Sequence, residues 1–290
     1  MRTLLPVGLL LALTSHLLAA SRDLPYCSWL DRADEPAWEI QAGWLGSATV
    51  QGPGGRSYSA LEVRGGGGLW YGEAPGGEAE MDGAYAVWML EGQGGVDLPD
   101  ALAEAHVRAG YVWRHWDGRS LRVRIQPGFY GEVSAWDQAD ALRVPFEVVG
   151  LQTLSPRWSG QLGVAVYPGF ARSFDPRFGV RGELSEAWSV EINYPESRLV
   201  WRNAGGTEAY LRLRNDPIRQ FWLEEDDARR FVRFEETRLV AGWAGPSDTV
   251  VRLRVEAGYV FNRSVEAGRG SANRAVEDTW VVSIGLGGAL

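Results

Sequence analysis

Three pairs of arginines, Arg122 and Arg124, Arg212 and Arg214, and Arg252 and Arg254, each skip a single apolar residue. Guanidinium groups at a spacing of two lie on one face of a β-strand and hold their charge at any physiological pH. Along a water-filled channel such a row makes an anion-selective field. Opposite carboxylates it makes a set of forked ion pairs. Both partners are present on the polar parity of the chain. It carries ten arginines (Arg64, Arg108, Arg114, Arg122, Arg124, Arg143, Arg212, Arg214, Arg252 and Arg254) and eight glutamates (Glu39, Glu62, Glu104, Glu132, Glu147, Glu191, Glu256 and Glu277). The candidate solute-facing residues are Arg108, Arg122, Arg124, Arg212, Arg214, Arg252, Arg254, Glu191 and Glu256. Charges enclosed in a narrow space need partners, so a stitched interior and a basic pore lining are both open readings.

Other chemistry is sparse. His106 shares parity with Arg108, whereas His115 shares parity with Trp113, so the two cannot serve one site. His115 beside Trp116 and Asp117 is the one place resembling the base of an acyl-transferring surface enzyme, but no G-x-S-x-G elbow accompanies it. The glycine run Gly65 to Gly68 precedes no helix that would cradle a phosphate. The acidic clusters Glu78/Glu80/Asp82 and Glu224 to Asp227 read as solvated loops without the spacing of a calcium loop. Cys27 is the only cysteine, so no internal disulfide or zinc site is expected, and no motif calls for a cofactor.

The residues above need strands to hold them. Val251, Leu253, Val255, Ala257, Tyr259 and Phe261 alternate with Arg252, Arg254, Glu256 and Gly258, a period of two with one apolar and one polar face. The same alternation marks 37–50, 104–116, 119–132, 158–170, 186–194, 207–214 and 276–290, and in weaker form 56–64, 83–91, 142–149 and 229–243. That makes about twelve strands, with ten to fourteen as the bounds. Turn signals separate them, among them Asp117-Gly118, Gly205-Gly206, Pro246-Ser247-Asp248 and Gly268 to Ala272. Stretches 65–82, 92–103 and 171–185 read as longer loops. Residues 215–222 fit either a short capped helix or a strand.

The gross features set the compartment. Residues 1–20 carry Arg2, an apolar core from Leu4 to Leu13 and a small-residue end, which predicts a cleaved signal peptide. Residues 21–36 read as an irregular lead-in, and 37–290 as one domain. No run is long and apolar enough for a spanning helix. A formal charge of −8, with all 29 basic residues being arginine, argues against a nucleic-acid partner. The 14 tryptophans suit a membrane–water interface. Alternating strands that put Val107, Leu121, Leu162, Ile192, Leu211 and Ile284 on one face predict an all-β, single closed antiparallel transmembrane barrel. The competing fold is a soluble sandwich with that face in its core.

Several segments add a resemblance. Tyr167-Pro168-Gly169, Trp188 to Pro195 with Ser197 to Val200, and Ala257 to Arg263 resemble an uncharacterised family of bacterial outer-membrane β-barrels with only a domain-of-unknown-function label. With the terminal strand they span roughly the last 150 residues. The resemblance implies fold and location, and no activity. Trp280, Val282, Ile284, Leu286, Gly288 and Leu290 keep one parity to the last residue, although outer-membrane barrels commonly end in Phe or Trp and this chain ends in Leu.

The expectation is therefore a barrel in the outer membrane of a diderm bacterium, with membrane lipid and the barrel-assembly machinery as its partners. Its leading function is a narrow charged pore for passive solute passage, in which loss of Arg252 and Arg254 shifts selectivity toward cations. The alternative is a sealed barrel with a structural or surface-interaction role. A lipid-modifying enzyme stands third.

Overall fold

The computed structural model describes residues 37–52, 54–92, 98–115, 118–136, 139–223, 231–246, 249–267 and 273–288. The expected signal peptide, the lead-in with Cys27, the cluster Glu224 to Asp227 and Leu290 lie outside the described residues.

Among the described residues every regular element is a strand apart from two single 3-10 turns at Val133–Ala135 and Ala139–Ala141. The first half of the chain holds β1 (Trp38–Thr49), β2 (Ser57–Ala74), β3 (Gly77–Glu91), β4 (Ala101–Arg114), β5 (Arg119–Ile125), β6 (Gly128–Glu132), β7 (Leu142–Arg143), β8 (Phe146–Ser155) and β9 (Trp158–Val166). The second half holds β10 (Phe174–Glu183), β11 (Trp188–Tyr194), β12 (Glu196–Arg202), β13 (Glu208–Trp222), β14 (Phe231–Ala244), β15 (Arg252–Ala267), β16 (Arg274–Val276) and β17 (Thr279–Gly288).

Antiparallel pairing runs β1 to β5, then β8 to β15, then β17, and β17 pairs back onto β1 from Trp38↔Gly288 to Leu45↔Val281. The ring is closed. It has fourteen staves, two more than the central expectation, with β16 continuing the β17 stave along β15. A closed ring leaves no unpaired edge, which is the condition for a sheet to sit in lipid.

The two added staves are β10 and β12. Residues 171–185 read as a loop because Pro176, Asp175 and Arg177 break the apolar signal; in the structure Phe174 and Phe178 point out while Asp175 is buried inside. Residues 65–82 are likewise not a loop but the β2–β3 hairpin, paired from Gly65↔Tyr85 to Ala74↔Gly77. Glu78, Glu80 and Asp82 therefore sit on a strand. Most of 92–103 precedes β4, which begins at Ala101. Residues 215–222 extend β13, with a register shift between Asp216 and Arg219. The run 119–132 is two strands, and Arg143 lies on the two-residue β7 outside the ring.

The two faces follow the alternation. Along β17, Thr279, Val281, Ser283 and Gly285 are buried while Trp280, Val282, Ile284 and Leu286 are exposed. Exposed apolar side chains continue around the ring on β13, β14 and β15, at Leu211, Leu213, Leu239, Leu253 and Val255. Trp113, Trp188, Trp201 and Trp243 mark one rim of this apolar belt, at the end where the connections are short. Phe146, Phe174 and Trp280 lie toward the other rim, where the connections lengthen. An apolar band between aromatic girdles is the exterior that a bilayer requires.

Candidate functional site in the barrel lumen

One strand leaves the wall. β5 and β6 together run along β4, but β6, paired with β4 from Leu102↔Glu132 to His106↔Gly128, also meets β13 in parallel at Gly131↔Trp222. β4 and β13 are diametrically opposite staves of the ring. At the long-connection end β6 therefore bridges the lumen and divides it.

On the β14–β3 side the lumen is filled but for two spaces of about 30 Å³ each. Phe221, Trp88, Phe234, Leu102, Val232 and Val265 belong to one buried apolar cluster, with Trp88 edge-on to Phe221 at 5.0 Å. Below it, toward the short turns, charged side chains fill the space in hubs centred on carboxylates. Glu256 accepts from Arg212 at 2.7 Å, the Tyr210 hydroxyl at 2.5 Å, Gln41 at 3.0 Å and Ser283 at 3.2 Å. Glu208 receives Arg202 at 2.7 Å, Arg252 at 2.9 Å and Arg198 at 3.4 Å. Arg254 pairs with Glu39 at 2.5 Å. Arg238 reaches across to Glu62 at 2.9 Å. Saturating each carboxylate with several donors is what makes buried charge tolerable.

On the β5–β12 side a cavity of about 390 Å³ remains. Its walls carry Glu104, His106 and Arg108 from β4, Arg124 from β5, Glu147 from β8 and Asp175 and Arg177 from β10. β12 and β13 add Glu196, Arg214, Asp216 and Gln220. Tyr130 of β6 and Tyr167 and Phe170 of the β9–β10 connection close its long-connection end. This closure is aromatic: Phe170 is edge-on to Trp222 at 5.0 Å and to Tyr130 at 5.4 Å, and Arg143 lies over the Trp222 ring at 4.1 Å. The connection is also pinned to β13, since the Ala171 amide donates to Gln220 at 2.8 Å. Burial raises the Tyr167 phenol above its ordinary pKa, offset in part by the Arg177 guanidinium that donates to it at 3.0 Å.

The arginines around this cavity are paired. Arg124 donates to Glu80 at 2.6 Å, Arg177 to Asp175 at 2.7 Å and to Glu147 at 2.9 Å, and Arg214 to Asp216 at 2.6 Å. Arg108 lies 3.6 Å from Asp82, and Arg122 lies 3.2 Å from Glu147. The His106 ring runs parallel to Tyr130 at 6.3 Å, and its two nitrogens are buried without a hydrogen-bond partner among the described residues.

The candidate residues thus divide three ways. Arg108, Arg124 and Arg214 line the cavity, and Arg122 joins it through Glu147. Arg212, Arg252, Arg254 and Glu256 belong to the filled side. Glu191 pairs with Arg181 at 3.4 Å, both a third exposed, in the middle of the β10–β11 ladder and away from both groups. Sequence reasoning missed Glu80, Asp82, Asp175, Arg177 and Asp216. Four of these had a readable signal, the spacing of two in Glu80/Asp82 and Asp175/Arg177. His115 is exposed beside the β4–β5 turn. Among the described residues no group of three or more His, Cys, Asp and Glu is placed to hold a metal ion.

No protein-family model matches the chain, and no curated protein matches it. Among solved structures it is similar to the COG4313 outer membrane channel from Pseudomonas putida F1, at 9% identity over 91% of this chain and 99% of that one, with a TM-score of 0.43. A triple mutant of the Rhodopseudomonas blastica porin matches at 11% identity over 85% and 99%, with a TM-score of 0.28. The transport unit of the autotransporter AIDA-I from Escherichia coli matches at 10% identity over 98% and 97%, with a TM-score of 0.27. These likenesses are loose. The closed ring of strand pairs is what makes the chain a barrel.

Proposed function

We propose that this chain is an outer-membrane β-barrel whose lumen is a narrow charged conduit for the passive passage of small solutes. The apolar exterior between aromatic girdles supports the membrane, and the short-turn end would face the periplasm as in bacterial barrels. The resemblance of Trp188 to Pro195 and Ala257 to Arg263 to an uncharacterised outer-membrane family supports the same location, reached through a cleaved signal peptide. The observation that carries the conduit is the polar cavity on the β5–β12 side, the one large space left in a lumen otherwise filled among the described residues. Because its arginines are paired, the conduit would select weakly by charge and mainly by size.

The aromatic closure by Tyr130, Phe170 and Trp222 favours a second reading, a barrel sealed at that end. Planar-bilayer recording of the refolded protein, after its gel mobility is seen to change on heating, decides between them. Stable small current steps support the conduit. Silence from the folded barrel supports the sealed form, and attention then moves to the long connections.

A further inference from the structure

We infer that the lumen cavity is a binding site for a neutral polyhydroxylated solute of about one sugar ring; this deepens the conduit reading and rests on it for access from solution.

Size sets the first limit. A cavity of about 390 Å³ lies near the small end of small-molecule sites, which begin at roughly 300 Å³. It has room for roughly a dozen waters at ~30 Å³ each, comparable to a hexose with its hydroxyls.

Charge sets the second. Arg108, Arg124, Arg177 and Arg214 each have a carboxylate within 4 Å. A solute of either sign that engages these groups must break one of the pairs and leave a buried charge alone. A hydroxyl does not. It donates and accepts at once, so it can use the guanidinium N–H groups and carboxylate lone pairs that remain beside an intact pair.

Shape chemistry sets the third. Tyr130, Tyr167 and Phe170 stand together at one end of the cavity, while the ion pairs occupy its sides. Aromatic ring faces carry negative charge density and suit the C–H face of a sugar ring, whose hydroxyl rim then meets the polar walls. Ala165, 4% exposed and paired with both Glu147 and Asp175, leaves the space at the middle of that wall open.

The test is saturation-transfer difference NMR on the refolded protein in sugar-free amine-oxide micelles, with D-glucose, D-gluconate and D-glucosamine as probes. Glucose should show contact at least fivefold stronger than either charged analogue. Ala165→Trp, which fills the cavity, and Tyr167→Ala, outside the strands, should each reduce it at least fivefold in proteins that keep heat-modifiable mobility. Gluconate or glucosamine contact equal to that of glucose overturns the proposal. So does a glucose signal that survives Tyr167→Ala, which decides alone where Ala165→Trp does not fold. The NMR result is independent of current: silence in bilayers with glucose contact removes the conduit, whereas conduction without glucose contact removes only this ligand class.

Discussion

Arg238 and Glu62 meet at 2.9 Å although their strands, β14 and β2, lie four places apart around the ring. The contact is a chord across the lumen and holds that side of the barrel narrow. Arg238 also pairs with Glu236, so its removal takes the nearest cation from two largely buried carboxylates, leaving Arg64 at 3.9 Å from Glu62 and Arg263 at 3.7 Å from Glu236. Arg238→Ala should cost roughly 3–5 kcal/mol, the range for breaking a buried pair from one side. Urea unfolding in detergent, followed by tryptophan fluorescence, measures it. A cost under 1 kcal/mol is the result that would remove the chord from the account.

Selectivity should respond to the cavity and not to the filled side. Arg124→Ala and Arg214→Ala each remove a cationic wall group beside a retained carboxylate, so reversal potentials in a KCl gradient should move toward cations. Arg254→Ala should leave the reversal potential near wild type and act instead on stability, since it pairs with Glu39 on the filled side and does not line the cavity. Equal shifts from all three would place the conduction path elsewhere.

The exterior makes a depth-dependent prediction. Ile284 is exposed in the middle of β17, so Ile284→Arg should destabilise the barrel in lipid by about 2–4 kcal/mol. Trp280→Arg, near the rim, should lose only about 0–1 kcal/mol in charge placement. Unfolding in phosphatidylcholine vesicles reads both, and the gradient between them is the quantity that matters. Equal costs at the two depths would argue against the apolar belt as the lipid contact.

Gly242 has a packing role. A Cβ at this position would stand 2.2 Å from the Tyr210 ring, whose hydroxyl donates to Glu256. Gly242→Ala should push the phenol off the carboxylate and cost roughly 1–3 kcal/mol, in the range of overpacking. Tyr210→Phe should account for part of that loss, and Gly242→Ala in the Tyr210→Phe background should cost correspondingly less, the remainder being the overpacking against the ring that stays. Wild-type stability for Gly242→Ala would mean that the ring moves aside freely.

The strand parity was legible because its signal is local. Trp280, Val282, Ile284 and Leu286 face out as their alternation requires, with Ser283 between them inside. β10 was hidden because proline and charged residues mark loops in most contexts, and a barrel interior is one of the few places where Asp175 and Arg177 belong on a strand. Glu78, Glu80 and Asp82 misled for the same reason: an acidic run read as solvated is here the counter-charge to Arg114, Arg124 and Arg108. The inward turn of β6 had no local signature. It depends on Gly131 meeting Trp222, a pairing between distant segments that no spacing encodes.

The seam between β1 and β17 joins the two extremes of the described chain. It is the longest-range contact in the sheet, and loop closure must be met before such a contact returns anything. Until β17 docks, the sheet is open, with two bare edges and an apolar outer face. No stretch of staves short of the full ring removes both edges, so assembly should be all-or-none, with no stable half-barrel along the way.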